Sequence, residues 1–509
     1  MNPEKLVKYS VPVFTLAIVS RSIEEISFIY YAVPVLCVFF IVFNLQRVRS
    51  QKSKVKSQNP ESEIRNLASS IKKFPSPIRL RQCLAGQVFH QSFTIFLIPG
   101  IWFLVTSLWS SYPDISAARA LYFILISTGC LSAGFLWMQY SDSHKSIFRF
   151  LLPTNIVVIL LSLFSLITNI PSDSWTGGHG KGFMGFFGHQ NLLASVLLFT
   201  LPSVLYRVVI LVRLQSRTRQ GRAKSRIRDV ITPDSRRTSF AGMTSARVTS
   251  FRLVRKLSFR LSSESDRLTN TYSASIQHPE SGIPIIISYY LLLTANLLVL
   301  ALTYSRSAIL SLISGVVVFL ILNKSWKSIS NSFIIAAVLA IIIYFTPSLN
   351  QFADKILKKD FPEFYTSRIW MWEPSFRAAL EGGVIGLGYG ISDPKEKIGG
   401  TGDHFEDDRF VREKGNSTLA LIEETGLIGL ILFLIPLELL LKKGWMNAWM
   451  HENYKHASMQ SFNHSILIAS LVAFLLHAQF EAWWVGVGSV QLPLFFLFLG
   501  FAAYQLKTT

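Results

Sequence analysis

Four short blocks of the sequence set polar or ionisable residues against apolar runs in patterns that suit chemistry on a charged leaving group. In GFFGHQNLLAS, His189, Gln190 and Asn191 open an apolar run after a glycine-rich stretch. Asn191 suits a helix N-cap, and the exposed amides of a helix start attract anions; a plain cap on a flexible loop is the alternative. In TYSRSAILSLISG, Arg306 lies in a turn of a few residues between two apolar runs, followed by the small Ser307, Ala308 and Ser311. Close helix packing over small residues holds the guanidinium fork where it fits a phosphate, against the alternative of a snorkelling anchor. In SRIWMWEPSFRAALEGGVIGLGYG, residues 368 to 381 have helical spacing and Gly382 and Gly383 stop it, so Arg368 and Trp372 share a face. An amphipathic helix lying on a membrane has the same pattern. In GNSTLALIEETGLIGLILFL, Asn416 or Ser417 caps a helix that carries Glu424 about two turns in, and an acidic residue inside an apolar run marks a function or a buried partner. His477 and Glu481, four apart, are predicted on one face of a later helix.

The elements that must position these residues are membrane helices. The chain has 509 residues, 50% of them hydrophobic and only 16% charged, against about 25% charged in an ordinary soluble domain. Apolar runs of helix-spanning length exclude an outer-membrane barrel, whose strands alternate over about ten residues. The expected fold is all-α, a polytopic integral membrane protein with about twelve transmembrane helices near 8–20, 27–44, 92–110, 118–140, 151–169, 190–212, 284–303, 307–322, 332–346, 418–440, 464–482 and 485–504. Ser10 to Ser20 lacks a small-x-small cleavage site and is read as a membrane helix rather than a signal peptide. Cys37 and Cys130 fall in apolar runs and Cys83 in a basic loop, so neither a disulfide framework nor a metal cluster is expected.

Lys and Arg resist translocation, and their distribution puts both termini in the cytoplasm. The expected organisation is helices one to six over 1–213 with a basic cytoplasmic loop at 45–91, a basic Arg/Ser-rich cytoplasmic linker at 214–283, helices seven to nine over 284–346, a long outer loop at 347–417 that balances acidic against basic residues, and helices ten to twelve over 418–509. The linker suits either anionic membrane lipids or a topology-setting disordered tether. No nucleic-acid partner is expected, because aromatic interleaving and a recognisable motif are missing. GGHGKGF, from Gly177 to Phe183, has no Ser or Thr after its Lys and lies on the outer side, so a phosphate-loop reading is set aside.

In order and sidedness the four blocks resemble the O-antigen ligase and O-antigen polymerase superfamily of bacterial inner-membrane glycosyltransferases. The resemblance implies about twelve helices with one long periplasmic loop, and transfer of a glycan from an undecaprenyl-diphosphate carrier to a saccharide acceptor such as lipid A core. It matches the family's Asn-bearing outer motif to Asn191, its helix-end Arg to Arg306, and its loop Arg before an aromatic-rich helix to Arg368. The family's His-Asn-x-x-Leu and Glu-x-Gly-x-x-Gly motifs are similar to Gly415-Asn416-Ser417-Thr418-Leu419 and Glu424-Thr425-Gly426-Leu427-Ile428-Gly429. The departure is Gly415, where the family usually has a His proposed as base.

On that reading Arg306 and Arg368 stabilise the leaving diphosphate with neither cofactor nor metal. The acceptor hydroxyl needs a proton acceptor within reach; the candidates, in order, are His404, His189, His477 and Glu424. Expected catalytic residues are Arg306, Arg368, His404 and Glu424; expected substrate contacts are His189, Asn191, Trp372 and Asn416, with Trp370 and Trp372 suited to sugar stacking or to interface anchoring. Rival readings are a twelve-helix secondary transporter, which the central basic loop resembles in layout, and an inactive family member lacking the His at Gly415.

Overall fold

A computed structural model describes residues 3–23, 29, 31–56, 96–140, 148–170, 182–187, 189–231, 279–358, 366–392, 414–450, 459–486 and 488–508. Among these the chain is helical, with one isolated bridge between Ile23 and Phe187. We number the helices α1 (Pro3–Ser20), α2 (Ala32–Lys56), α3 (Phe96–Trp109), α4 (Pro113–Tyr140), α5 (Leu151–Thr168), α6 (Gln190–Ile231), α7 (Pro279–Leu302), α8 (Arg306–Leu322), α9 (Trp326–Phe345), α10 (Pro347–Lys358), α11 (Thr366–Gly382), α12 (Ser417–Met450), α13 (Met459–Ala478) and α14 (Gln491–Thr508). Among the described residues four stretches are long and apolar enough to cross a bilayer: Pro113–Tyr140, Leu151–Thr168, Gln190–Leu211 and Ser417–Asn447. Shorter apolar helices accompany them, including Phe96–Trp109, Arg306–Leu322 and Phe462–Ala478.

Every expected apolar run forms a helix, and the differences lie at the ends. α2 and α6 continue well past their apolar parts into basic sequence. The long loop holds two helices of its own, α10 and α11. α13 stops at Ala478 rather than 482, because Gln479 and Phe480 close tight turns onto Leu476 and His477, and α14 starts only at Gln491. Glu481 therefore leaves the helix face that spacing alone would have it share with His477.

The chain divides into two compact units. One comprises residues 1–203 and 296–509; the other, 204–295, takes the later part of α6 and the start of α7. In the first unit aromatic contacts set the directions of the helices. Phe123 meets Phe496 at 5.7 Å and Phe135 meets Tyr504 at 5.2 Å, so α4 and α14 run parallel. Phe319 meets Phe462 at 5.5 Å while Gly315 lies against Ala469 and Ala473, so α8 and α13 run antiparallel. Arg306, the first residue of α8, thus lies at the end of the bundle where α13 finishes. Stacked Phe199 and Phe474, 3.8 Å apart, lie in the buried core beneath that end.

α12 is broken within its third turn. Gly426 has φ 71° and ψ 179°, a conformation essentially closed to residues with a Cβ. The break releases backbone carbonyls that a continuous helix would use, and the 383–390 loop takes them. Leu387 N donates to Glu423 O and Gly388 N to Glu424 O, both at 2.9 Å; Leu427 N returns a bond to Gly383 O at 3.0 Å. Trp102 Nε1 donates to Thr425 O at 2.8 Å and Trp109 Nε1 to Gly386 O at 2.9 Å, tying α3 to the same joint.

Candidate active site

The turn between α13 and α14 gathers the starts of two helices, and helix direction brings a third to the same end. Asn191, in the first turn of α6, donates from Nδ2 to Glu481 Oε1 at 3.0 Å. Ser417, the first residue of α12, donates to Glu481 O at 2.7 Å, and Asn416 Nδ2 donates to Gln479 O at 2.9 Å. Thr418 adds a bond to Gln479 Oε1 at 2.8 Å. α8 begins with Arg306 at this same end, directly after Tyr304, whose φ of 52° makes the reversal out of α7. Helix starts present unpaired amides and a positive dipole end, and together with an arginine they favour an anion.

The caps differ from expectation in an informative way. His189, not Asn191, caps α6: its Nδ1 accepts from Asn191 N at 3.1 Å, which leaves the Asn191 amide side chain to reach Glu481. His189 is exposed. A neutral imidazole whose Nδ1 accepts carries its proton on Nε2, so His189 presents a donor outward. Asn416 is the cap of α12, its Oδ1 accepting from Leu419 N at 3.0 Å.

His477 is fully buried. Its Nδ1 accepts from Trp483 Nε1 at 3.2 Å, so its Nε2 carries the proton and faces Ser195 Oγ at 3.5 Å; Ser195 in turn donates to Asn191 O at 2.6 Å. This chain of bonds fixes the backbone from which Asn191 reaches Glu481. The helix ends between His477 and Glu481, and the two meet α6 at different residues, Ser195 and Asn191.

Glu424 belongs to the joint in α12, away from the α13–α14 turn. It is 3% exposed; Oε1 accepts from Lys414 Nζ at 2.5 Å and Oε2 from Gly390 N at 2.7 Å. Lys414 Nζ also lies 3.3 Å from Glu423 Oε2, so one buried ammonium serves two buried carboxylates. Arg119 Nη1 donates to Gly390 O at 2.5 Å on the far side of the loop. Burial, and then the nearby Glu424 carboxylate, push the Tyr389 hydroxyl well above its usual range while Arg119 pulls the other way, so Tyr389 stays protonated.

Trp372 on α11 donates from Nε1 to Gly415 O at 3.0 Å and packs its ring 5.8 Å from Phe480, bracing the start of α12 against the α13–α14 turn. Arg368 falls in the first turn of α11, placed by its backbone alone. His404 and the GGHGKGF segment up to residue 181 lie outside the described residues, as does most of the basic linker.

A family model described as O-antigen ligase matches residues 290–434. This stretch is similar to the O-antigen ligase family. It runs from within α7 to within α12 and holds Arg306, Arg368, Trp372, Lys414, Asn416 and Glu424, while His189, Asn191, His477 and Glu481 lie outside it. No curated protein matches the chain.

Within the matched stretch, Gly415 is packed tightly. A Cβ there would sit 2.9 Å from Met371 Cβ and 3.3 Å from Trp372 Cδ1, so a histidine would displace α11 from the start of α12. Sequence reasoning missed Lys414, which read as one more loop cation; a basic residue ten positions before Glu424, ahead of a capped helix, was the available signal. It noted Glu481 without giving it a role, since spacing paired it with His477.

Proposed function

We propose that this chain transfers a glycan from an undecaprenyl-diphosphate carrier to a saccharide acceptor at the outer face of a bacterial inner membrane, with both termini on the cytoplasmic side and about twelve spans. The observation that carries the reading is the meeting of the helix starts bearing Asn191, Arg306 and Asn416 at one end of the bundle, two of them bonded directly to the 479–481 turn, in a chain with a stretch similar to the O-antigen ligase family.

Cleaving a sugar–diphosphate bond builds negative charge on the leaving oxygen, and fixed donors and cations already aimed there lower the barrier. Arg306 and Arg368 supply the charge, the α8 start supplies amides, and His189 supplies a donor at the rim. Asn191 and Asn416 hold the turn on which the acceptor rests. Trp372 acts as a brace that presents α11, and Glu424 acts as a positioning residue that keeps the 383–390 loop and α12 in register. Lipid A core or a growing polysaccharide fits the acceptor side, and the basic sequence after α6 fits anionic lipid at the opposite face.

Deleting the gene in its host and analysing surface glycan and the carrier-linked pool by gel and mass spectrometry tests the reading. The expected result is glycan stranded on the carrier with loss or shortening of the surface polymer: long chains for a ligase, single repeat units for a polymerase. An unchanged pool and an unchanged surface would contradict it.

A further inference from the structure

We infer that α11 and the turn after it are sunk into one leaflet of the bilayer, with phospholipid acyl chains covering the edge formed by Phe376, Leu380, Val384 and Ile385. The inference rests on α12 crossing the membrane, and on neither the transfer chemistry nor the direction of crossing. α11 runs beside the first turns of α12 and in the same direction. Near its start Trp372 donates to Gly415 O at 3.0 Å, and at its end Gly382 packs against the backbone of Glu423. α12 is apolar enough to cross a bilayer over Ser417–Asn447, and at about 1.5 Å per residue its break at Gly426 lies about 13 Å along it from Ser417. A headgroup layer takes up about 5–7 Å on each side of the hydrocarbon. The loop seated on the break therefore reaches the hydrocarbon margin.

Non-helical backbone is stable at that depth only where protein satisfies its polar groups, and the 383–390 loop meets the condition. Beside the bonds to Glu423 O and Glu424 O, Gly386 N donates to Gly382 O at 2.8 Å, Ile428 N to Val384 O at 3.2 Å and Gly390 N to the Glu424 carboxylate at 2.7 Å. Trp102 and Trp109 close the same joint through their indole N–H groups, and tryptophan collects at the headgroup boundary.

One face of α11, with Ser375, Ala378 and Ala379, is buried. Another edge is apolar and exposed: Phe376, Leu380 at 66% and, in the turn, Val384 at 61% and Ile385. Leu427 N donates to Gly383 O, so this edge runs directly into the exposed Leu427, Ile431 and Leu434 of α12, the side that a crossing helix turns to lipid. That continuity makes lipid the occupant. The flank beside the apolar edge carries Glu373 and Arg377, paired at 3.0 Å, and then Glu381, all exposed. A helix with an apolar edge and a charged flank settles about 5–10 Å into the headgroup and acyl boundary with its charges kept among the headgroups.

The test places a nitroxide at single cysteines in the full-length protein, its three native cysteines replaced by alanine, in liposomes of phosphatidylethanolamine and phosphatidylglycerol. Leu380 and Val384 are exposed, so labels there leave the packing intact. Labels at Leu380→Cys and Val384→Cys are expected to collide with dissolved oxygen several-fold more than with a water-soluble nickel chelate, as a label at Ile431→Cys does, and a label at Glu373→Cys to show the reverse. Nickel contact exceeding oxygen contact at 380 and 384, with Ile431→Cys still rich in oxygen contact, would overturn the inference. Oxygen contact that arises there only after undecaprenyl diphosphate is added would overturn it in favour of an isoprenoid chain, and spin–spin broadening between labels in favour of a second copy of the chain. Nickel contact at Ile431→Cys would instead bring down the crossing of α12 and this inference with it.

Discussion

Two polar regions of the molecule each hold a glutamate, one beside the break in α12 and one in the turn between α13 and α14, and they are built differently. Around Glu424 every charge is sealed: Lys414, Glu423 and Glu424 are buried together, and the carboxylate of Glu424 is engaged by an ammonium and a backbone amide. Around Glu481 the carboxylate is half-buried, Oε1 accepts from Asn191 and the backbone carbonyl accepts from the Ser417 hydroxyl. Buried charges gathered round one counter-charge hold a joint together; a half-buried carboxylate in a turn helps tie the starts of two helices to one end of the bundle. An acidic residue within an apolar run is therefore not in itself a mark of catalysis, and the identity of its partners decides.

Removing the counter-charge from the sealed region should have the largest effect. Lys414→Met leaves two carboxylates buried without a cation and should destabilise the fold by about 3–5 kcal/mol, seen as a large drop in Tm in detergent; an unchanged Tm would erase the distinction between the two regions. At the open region Arg306→Ala should leave Tm near wild type while lowering transfer about 10²–10³-fold, as loss of a preorganised donor does. Equal transfer by the variant would remove Arg306 from the chemistry. Gly426→Ala forces a Cβ into Val384 O at a backbone conformation suited to glycine and should cost about 1–3 kcal/mol, again read as Tm. The smallest effect is expected for Asn416→Ala, which removes the α12 cap and should cost about 1 kcal/mol, with transfer per folded molecule falling less than in Arg306→Ala. A larger loss of transfer would move Asn416 from holding the turn to touching substrate.

The helices were legible because apolar runs longer than a strand leave little choice, and α11 with its glycine stop at 382 and 383 was legible from spacing. The break at Gly426 was not: Glu-x-Gly-x-x-Gly reads as a mild irregularity until the 383–390 loop is seen to take the freed carbonyls. The membership of Arg306, Asn191 and Asn416 in one end of the bundle followed from counting helices. What spacing could not give was the tertiary choice of partner. His477 and Glu481 sit four apart, yet α13 ends between them and each meets a different residue of α6. Glu424 found its cation ten residues upstream, across a cap, where no helical periodicity points.

Glycan transfer from a lipid diphosphate can be followed outside the host by reconstitution. Purified protein in liposomes is given undecaprenyl-diphosphate-linked glycan and a saccharide acceptor, and products are followed by mass spectrometry. Extended acceptor is expected together with an equal amount of free undecaprenyl diphosphate, both lost in Arg306→Ala. Intact donor after prolonged incubation with wild-type protein and acceptor would contradict it.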